Sequence, residues 1–584
     1  MYKFIATIIS SLITFSVSTD FKVHENWLYV TRQNHISKWY TENSTIHTLD
    51  YPLFFAYFEY ALSYPFFLLK VFFHPFNQDF TLVYNKITVI VSELLLVYYL
   101  YKFIHSHKQK SEIKKNFFML LTYNFGIILV DHIHFQYNGF IHGLLFASLF
   151  YVCQDRPIIG SVVFLILINM KHLFLVLGPS YFVYLFFGYC INRENRYFLK
   201  FSKRIFQLIT VTLGIMSLGL GPLLYYEVFG AFLKRLFPFG RGLTHAYWAP
   251  NFWAIYNFID RYLIWWHKSS NPLLKPSSTS GLVGEINHVI LPSINPMGTM
   301  FITICTMLPC LVKLAICCLK KGYSDKKSKQ LFFSSIIISS WSYFIFGWHV
   351  HEKAVLTFLL VLNLYTFLFD IQLTGLTFYV NTVAHFSLTP LIFTPEEQLP
   401  VWTMFLTWTM LNSVYGDLLK GQILMEIKLE RKSNLSLLFE RFFKLSQNIH
   451  LCGLPVVFLL SKILLPLFKP KMEFLPLGLI SVYCSFENKD PNQGSIMSKL
   501  QPHYRNAYRK SRALLAGSKA YIHPARQTSK SFVTLIKSTQ FLDDAIQDYT
   551  IFAGSETPEG RLKDGAFLLD PLKPLFLNSW SNLE

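Results

Sequence analysis

The chain has 584 residues, 52% of them hydrophobic and only 15% charged, well short of the roughly 25% a soluble protein carries. That deficit excludes a string of soluble domains. It also excludes disordered, collagen-like and disulfide-stapled secreted classes, and 58 Phe with 33 Tyr point to lipid as the main solvent. The net charge of +19 raises a nucleic-acid reading. The basic residues fall in short loops between apolar runs, however, which is the mark of charge retained on the cytosolic side of a membrane. The eight Cys sit mostly inside apolar runs, with no CxxC pair and no zinc spacing.

In chain order, residues 3–17 form a short apolar run behind Lys3 and are read as an uncleaved first span or a signal peptide. A long segment, 18–83, follows. Its stretch PLFFAYFEYALSYPFFLLKVFF mixes Pro, Glu and aromatic residues and suits helices lying in the membrane interface. Further apolar runs lie at 84–104, 116–131, 138–153, 157–170, 173–191, 206–230, 297–319, 331–348, 354–370, 373–393, 400–417, 451–468 and 473–485. The loops 102–115, 192–204, 320–330 and 426–444 are strongly basic, and counting spans puts all four on the side of the N-terminus. The charge rule makes that side the cytosol. The expectation is an all-α polytopic membrane protein with about 14 transmembrane helices, lumenal interfacial helices, and long lumenal loops at 18–83 and 231–296. From 487 to 584 the chain is hydrophilic, with one weak amphipathic stretch, SKSFVTLIKSTQFLDDAI.

The segments assigned to the lumen carry Asp20, His24, Glu25, Trp27, Asp50, Tyr51, Asp131, His132, His134, Gln136, Asn138, Lys171, His172, Arg235, Arg241, His245, His349, His351, Glu352 and Lys353. Ionisable groups at membrane depth are costly and mark cavities, so a polar cavity on one side is expected. A metal site at DHIHFQYN is weakened by spacing: Asp131, His132 and His134 do not share one helix face. A transporter or scramblase is the rival to an enzyme, although the inverted repeats and paired broken helices common in transporters are not evident.

The segments STDFKVHENWLYVT (18–31), ISKWYTEN (36–43), TLDYPLFFAYFEY (48–60), DHIHFQYNGF (131–140), RLFPFGRGL (235–243) and GWHVHEKAVL (347–356) together resemble the eukaryotic endoplasmic-reticulum glucosyltransferases that use dolichyl phosphate glucose, which are fold-C glycosyltransferases. The resemblance covers residues 1–485, so the chain divides into a transmembrane glucosyltransferase domain, 1–486, and a tail outside the family pattern. THAYWAPNFWAIYNFIDR (244–261) is similar to the branch that adds the second glucose. The resemblance then implies a monoglucosylated Man9GlcNAc2 acceptor on diphosphodolichol, an α-1,3 linkage and inversion from a β-linked donor. The sister activity, adding the first glucose, is the alternative. One motif departs from the family: DYPP reads DYPL here, at Asp50–Leu53.

Inversion needs one in-line attack at the anomeric carbon. The acceptor hydroxyl needs a general base, whereas a phosphate leaves without a general acid. One essential carboxylate is therefore expected, and both this argument and the resemblance select Asp50, whose other reading is a helix cap before Pro52. Asp20, Glu25 and Asp131 are secondary carboxylates for the acceptor, with helix capping the alternative for Asp20. His349, His351, Lys353, Arg235 and Arg241 are expected at the donor phosphate, and Trp27, Tyr51 and Trp248 on sugar faces. No cofactor is expected and no metal ligands are assigned, with a divalent ion left open. The expected partners are the two dolichol-linked substrates and the bilayer, and no nucleic acid. Asn43-Ser44-Thr45 is a glycosylation sequon in the lumenal segment.

Overall fold

The computed structural model describes residues 17–72, 77–191, 198–237, 239–245, 249–268, 288–392, 395–424, 434–464 and 474–485. The first apolar run up to residue 16, parts of the basic loops 192–204 and 426–444, Trp248 and the whole tail, including its amphipathic stretch, lie outside these residues. The described residues fall in one compact unit and are helical, with no strand among them and a lone bridge between Thr244 and Val350.

The main helices are α1 (Thr19–Gln33), α2 (Leu53–Phe72), α3 (Asn77–Ser106), α4 (Ser111–Thr122), α5 (Asn138–Cys153), α6 (Pro157–Met170), α7 (Phe198–Tyr225) and α8 (Phe229–Leu236). They continue with α9 (Phe252–Lys268), α10 (Pro296–Lys321), α11 (Lys326–Phe346), α12 (Val355–Leu368), α13 (Thr374–Ser387), α14 (Pro395–Leu424), α15 (Asn434–Phe458) and α16 (Phe474–Ser485). Five stretches are long and apolar enough to cross a bilayer: Phe80–Ser106, Ser111–Ile133, His172–Cys190, Leu199–Tyr225 and Pro296–Lys321. Asn138–Cys153, Pro157–Met170 and Leu445–Ser461 are apolar but shorter. The chain is thus an all-α membrane protein. The segment expected as a long loop, 18–83, is largely helical, since α1, α2 and the start of α3 occupy most of it.

Helix α5 is apolar all round, as a helix enclosed by others should be. Its Gly139 and Gly143, four apart, face α3. A Cβ on Gly139 would collide with Glu93 Cγ, and one on Gly143 would meet the Leu96 backbone nitrogen at 2.7 Å. Small residues at this spacing let two membrane helices close to backbone contact. The same packing brings Glu93 to His132, with Oε2 2.8 Å from Nε2, both buried. His132 lies in a π-helical turn, Ile128–Ile133, that ends the fourth helical segment. Such turns widen a helix and redirect its side chains.

Candidate active site

Asp50 sits on a stretch held from both sides. Trp27 Nε1 donates to the carbonyls of His47 and Thr48 at 3.2 and 3.3 Å, and Asn26 Nδ2 donates to His47 O at 3.0 Å. On the far side, Tyr40 Oη donates to Tyr51 O at 2.8 Å. Helix α2 begins just afterwards at Leu53, with Pro52 O accepting from Phe55 and Ala56 N–H. The Asp50 carboxylate does not cap that helix. It faces Arg241, with 3.6 Å between Oδ2 and Nη2, and is 29% exposed. Burial pushes its carboxyl above the ordinary value, although Arg241 pulls the other way.

The second carboxylate, Asp20, lies in the first turn of α1. Capping there falls to Ser18, whose Oγ accepts from Phe21 N–H and donates to His134 O. Asp20 is therefore left for other partners. Its Oδ2 lies 2.6 Å from Lys353 Nζ and 3.2 Å from His134 Nε2, and it accepts from Gln136 Nε2. Burial raises the Asp20 carboxyl, but Lys353 and His134 outweigh it and hold the group well below its usual range.

Lys171 follows α6 as its C-cap, within electrostatic reach of both carboxylates. Its Nζ donates to Asn138 Oδ1 at 3.0 Å and stands 5.6 Å from the Tyr51 ring centroid. Burial and the neighbouring Lys353 push its ammonium down to about 8, with Asp131, Asp20 and Asp50 opposing. The sequence placed Lys171 in the polar set without a role. Its position directly after an apolar run was the one available signal.

Several expected site residues are used otherwise. Asp131 is buried: Oδ1 accepts from Asn138 N and Nδ2, both at 3.0 Å, and Oδ2 accepts from Gly139 N at 2.5 Å. It caps α5, because the exposed N–H groups at a helix start take a carboxylate readily, and it is not a free acceptor-binding group. Arg235 donates to Trp39 O at 3.0 Å, Glu42 O at 2.5 Å and Asn43 Oδ1 at 3.0 Å, so it clamps the loop before Asp50 instead of meeting a phosphate. Trp27 is 2% exposed and serves as the inner wall of the loop, leaving no face for a sugar. Tyr51 is half-buried beside Trp27 and Phe55, at ring separations of 5.3 and 4.6 Å. Glu25 is half-buried on α1 and, among the described residues, joins no ion pair or side-chain hydrogen bond.

His349 and His351 sit in the connection from α11 to α12. Burial, then His245, pushes His349 down to about 4 and His351 well below its ordinary value. Burial thus disfavours the charged form of both imidazoles, which weakens the cationic role expected of them, whereas Lys353, Arg241 and Lys171 are the cations grouped around Asp50 and Asp20. A cleft lined by Phe103, Ser106, His107, Cys153 and Lys329 lies at the opposite end of α5 and takes no part in this arrangement.

The structure thus brings Asp50, Arg241, Asp20, Lys353, Lys171, Gln136 and Tyr51 together from segments spread across the first 353 residues. A base, a second carboxylate and three cations can take a proton from a hydroxyl while holding a phosphate.

Comparison with known proteins agrees with this chemistry. Residues 6–489 match the model of the ALG6, ALG8 glycosyltransferase family. A mouse protein named dolichyl pyrophosphate Glc1Man9GlcNAc2 alpha-1,3-glucosyltransferase is 36% identical over 502 residues, covering 80% of this chain and 89% of its own. Proteins of the same name from Arabidopsis thaliana and Debaryomyces hansenii are 35% and 36% identical, covering 81% and 80% of this chain and 92% and 87% of their own. With the family pattern running through all the segments that build the carboxylate cluster, the chain belongs to the ALG6, ALG8 glycosyltransferase family.

Proposed function

We propose that this protein transfers glucose from dolichyl phosphate glucose to the monoglucosylated Man9GlcNAc2 oligosaccharide on diphosphodolichol, forming an α-1,3 linkage with inversion. The endoplasmic-reticulum membrane is its site, with the carboxylate cluster facing the lumen, as the basic loops on the opposite side favour. The acceptor follows the printed names of the relatives. One structural observation carries the chemistry: Asp50 is a half-buried carboxylate with a raised pKa, facing Arg241 in a neighbourhood that holds two further cations.

The reaction is a single displacement. Asp50 takes the proton of the acceptor hydroxyl as that oxygen bonds to the glucose anomeric carbon. The bond from that carbon to the phosphate oxygen breaks on the opposite face, and its electron pair leaves on dolichyl phosphate. Lys353, Arg241 and Lys171 stabilise the charge that gathers on the phosphate. Asp20, bonded to Lys353 and Gln136, positions the lysine and offers the acceptor a hydrogen-bond acceptor. Tyr51 presents its half-buried ring to a sugar, and Glu25 lies on the same helix as Asp20.

The test is purified protein in detergent with dolichyl phosphate glucose and each acceptor in turn. Glucose should pass to the monoglucosylated acceptor without any membrane gradient. Consumption of the unglucosylated acceptor instead would assign the sister activity. Unchanged lipids from folded protein would defeat the transferase reading in favour of a transporter.

A further inference from the structure

On the segments that carry Arg241 and Lys353, three imidazoles converge. His245, His349 and His351 each present a ring nitrogen, and these nitrogens lie within 4.8 Å of one another. The ring centroids are 4.0 Å apart for His245 and His351, 5.5 Å for His245 and His349, and 5.7 Å for His349 and His351. The backbone holds them there. Thr244 and Val350 form a parallel bridge, and His349 N–H donates to Leu243 O at 2.8 Å. His349 itself has φ 51°, a left-handed conformation that a residue with a Cβ rarely adopts. Strain of this kind persists where the surroundings over-determine it, often at sites.

We propose that His245, His349 and His351 form a binding site for a transition-metal dication of the zinc type. Imidazole suits such ions, and three histidines with one open position are a common ligand set. A tetrahedral ion bound at about 2.0–2.1 Å needs its nitrogens about 3.3 Å apart, so from a separation of at most 4.8 Å the three rings need to close by no more than about 1.5 Å.

Two neighbouring contacts belong to such a site. His349 Nδ1 lies 3.1 Å from Gly242 O, where it donates, which leaves Nε2 with its lone pair for the metal. Glu352 is 4% exposed, its Oε2 has no hydrogen-bond partner, and that oxygen lies 3.9 Å from His245 Nδ1. A buried carboxylate aimed at a ligand histidine is the usual outer support of a bound dication, orienting the ring and offsetting the charge.

The ion would tie the segment that carries Arg241 to the one that carries Lys353. It would thereby fix two cations that face Asp50 and Asp20. It acts as a clamp and stands outside the proton transfer, so the inference is independent of which acceptor is glucosylated.

The experiment uses the full chain in detergent, purified without a histidine tag, stripped with chelator and titrated with Co²⁺ alone. About one equivalent should bind and show the visible absorption of a four-coordinate nitrogen-ligated site, and one equivalent of Zn²⁺ should abolish it. His351→Gln and His245→Gln should each weaken binding by at least about 100-fold, and Glu352→Gln by about 10-fold. Thermal unfolding in chelator should be the same for the wild type and a folded variant. Absence of cobalt absorption in the folded wild-type protein would overturn the proposal. So would binding that survives in both histidine variants.

Discussion

Asp20 Oδ2 and Lys353 Nζ, 333 positions apart in sequence, meet at 2.6 Å. The contact joins the first turn of α1 to the turn that opens α12, and it ties a secondary carboxylate to a cation assigned to the phosphate. Because Lys353 and His134 outweigh burial, the Asp20 carboxyl titrates well below its usual range. A carboxyl lowered on folding contributes stability that is complete above its unfolded pKa, near 3.8. That contribution is lost as pH falls through the lower folded value. The unfolding temperature of the wild type should therefore drop on acidification below about pH 4, and Asp20→Asn should flatten that part of the curve. An Asp20→Asn curve parallel to the wild type would remove the ion pair from the stability argument.

Asp50→Asn keeps the shape of the side chain but cannot accept the hydroxyl proton. Transfer should fall by at least about 10²-fold, the scale for losing a general base. Binding of dolichyl phosphate glucose should be largely kept, since the phosphate meets cations elsewhere. Single-turnover rates and donor binding, measured separately, distinguish the two effects. Near-normal turnover would move the base to another carboxylate, with Asp20 first in line.

The acid side of the pH profile should report Asp50. Burial raises its pKa and Arg241 opposes that rise, so activity should fall with acid at a pH above the ordinary carboxylate value. Arg241→Gln removes the opposing charge and should move the acid limb to still higher pH. A limb that moves down, or not at all, in kcat against pH would separate Asp50 from the proton transfer.

Arg235 bridges α8 to the carbonyls of Trp39 and Glu42 and to Asn43 Oδ1. Arg235→Ala should cost about 1–3 kcal/mol, the order for losing hydrogen bonds to a partly exposed charged donor. It should also lower kcat through displacement of the loop that carries Asp50. Lys cannot fork to three acceptors, so Arg235→Lys should recover only part of the loss. Thermal unfolding and steady-state kinetics on both variants test the clamp. Because Asn43 Oδ1 is engaged while the residue stays exposed, occupancy of the sequon is readable in the same samples by glycosidase shift.

Every residue placed at the site precedes position 354, and the family match ends at residue 489. Deleting 490–584 should leave the transfer rate within a few-fold, with expression the more sensitive readout. A truncated protein that binds donor yet does not transfer would put the tail in the reaction.

Local properties of the chain were enough to reveal the membrane class, the basic loops and the candidate base. Apolar run length, charge between runs and the DYP motif are all read within about twenty residues. The partners of the polar residues were not legible in the same way. Arg235 and Arg241 lie six apart with similar neighbours, yet one grips loop carbonyls and the other faces Asp50. Asp20 and Asp131 both sit where a helix might be capped, and only Asp131 serves as the cap. Trp27 looked like a sugar platform until α2 and the 47–51 stretch closed over it. The three histidines come from segments about a hundred residues apart, joined by the Thr244–Val350 bridge and the His349 N–H bond to Leu243 O. Whether a side chain is buried, and what it faces, depends on segments packed from far along the chain. Local patterning determined which residues were polar in a membrane, and tertiary packing alone decided which of them remained free to act.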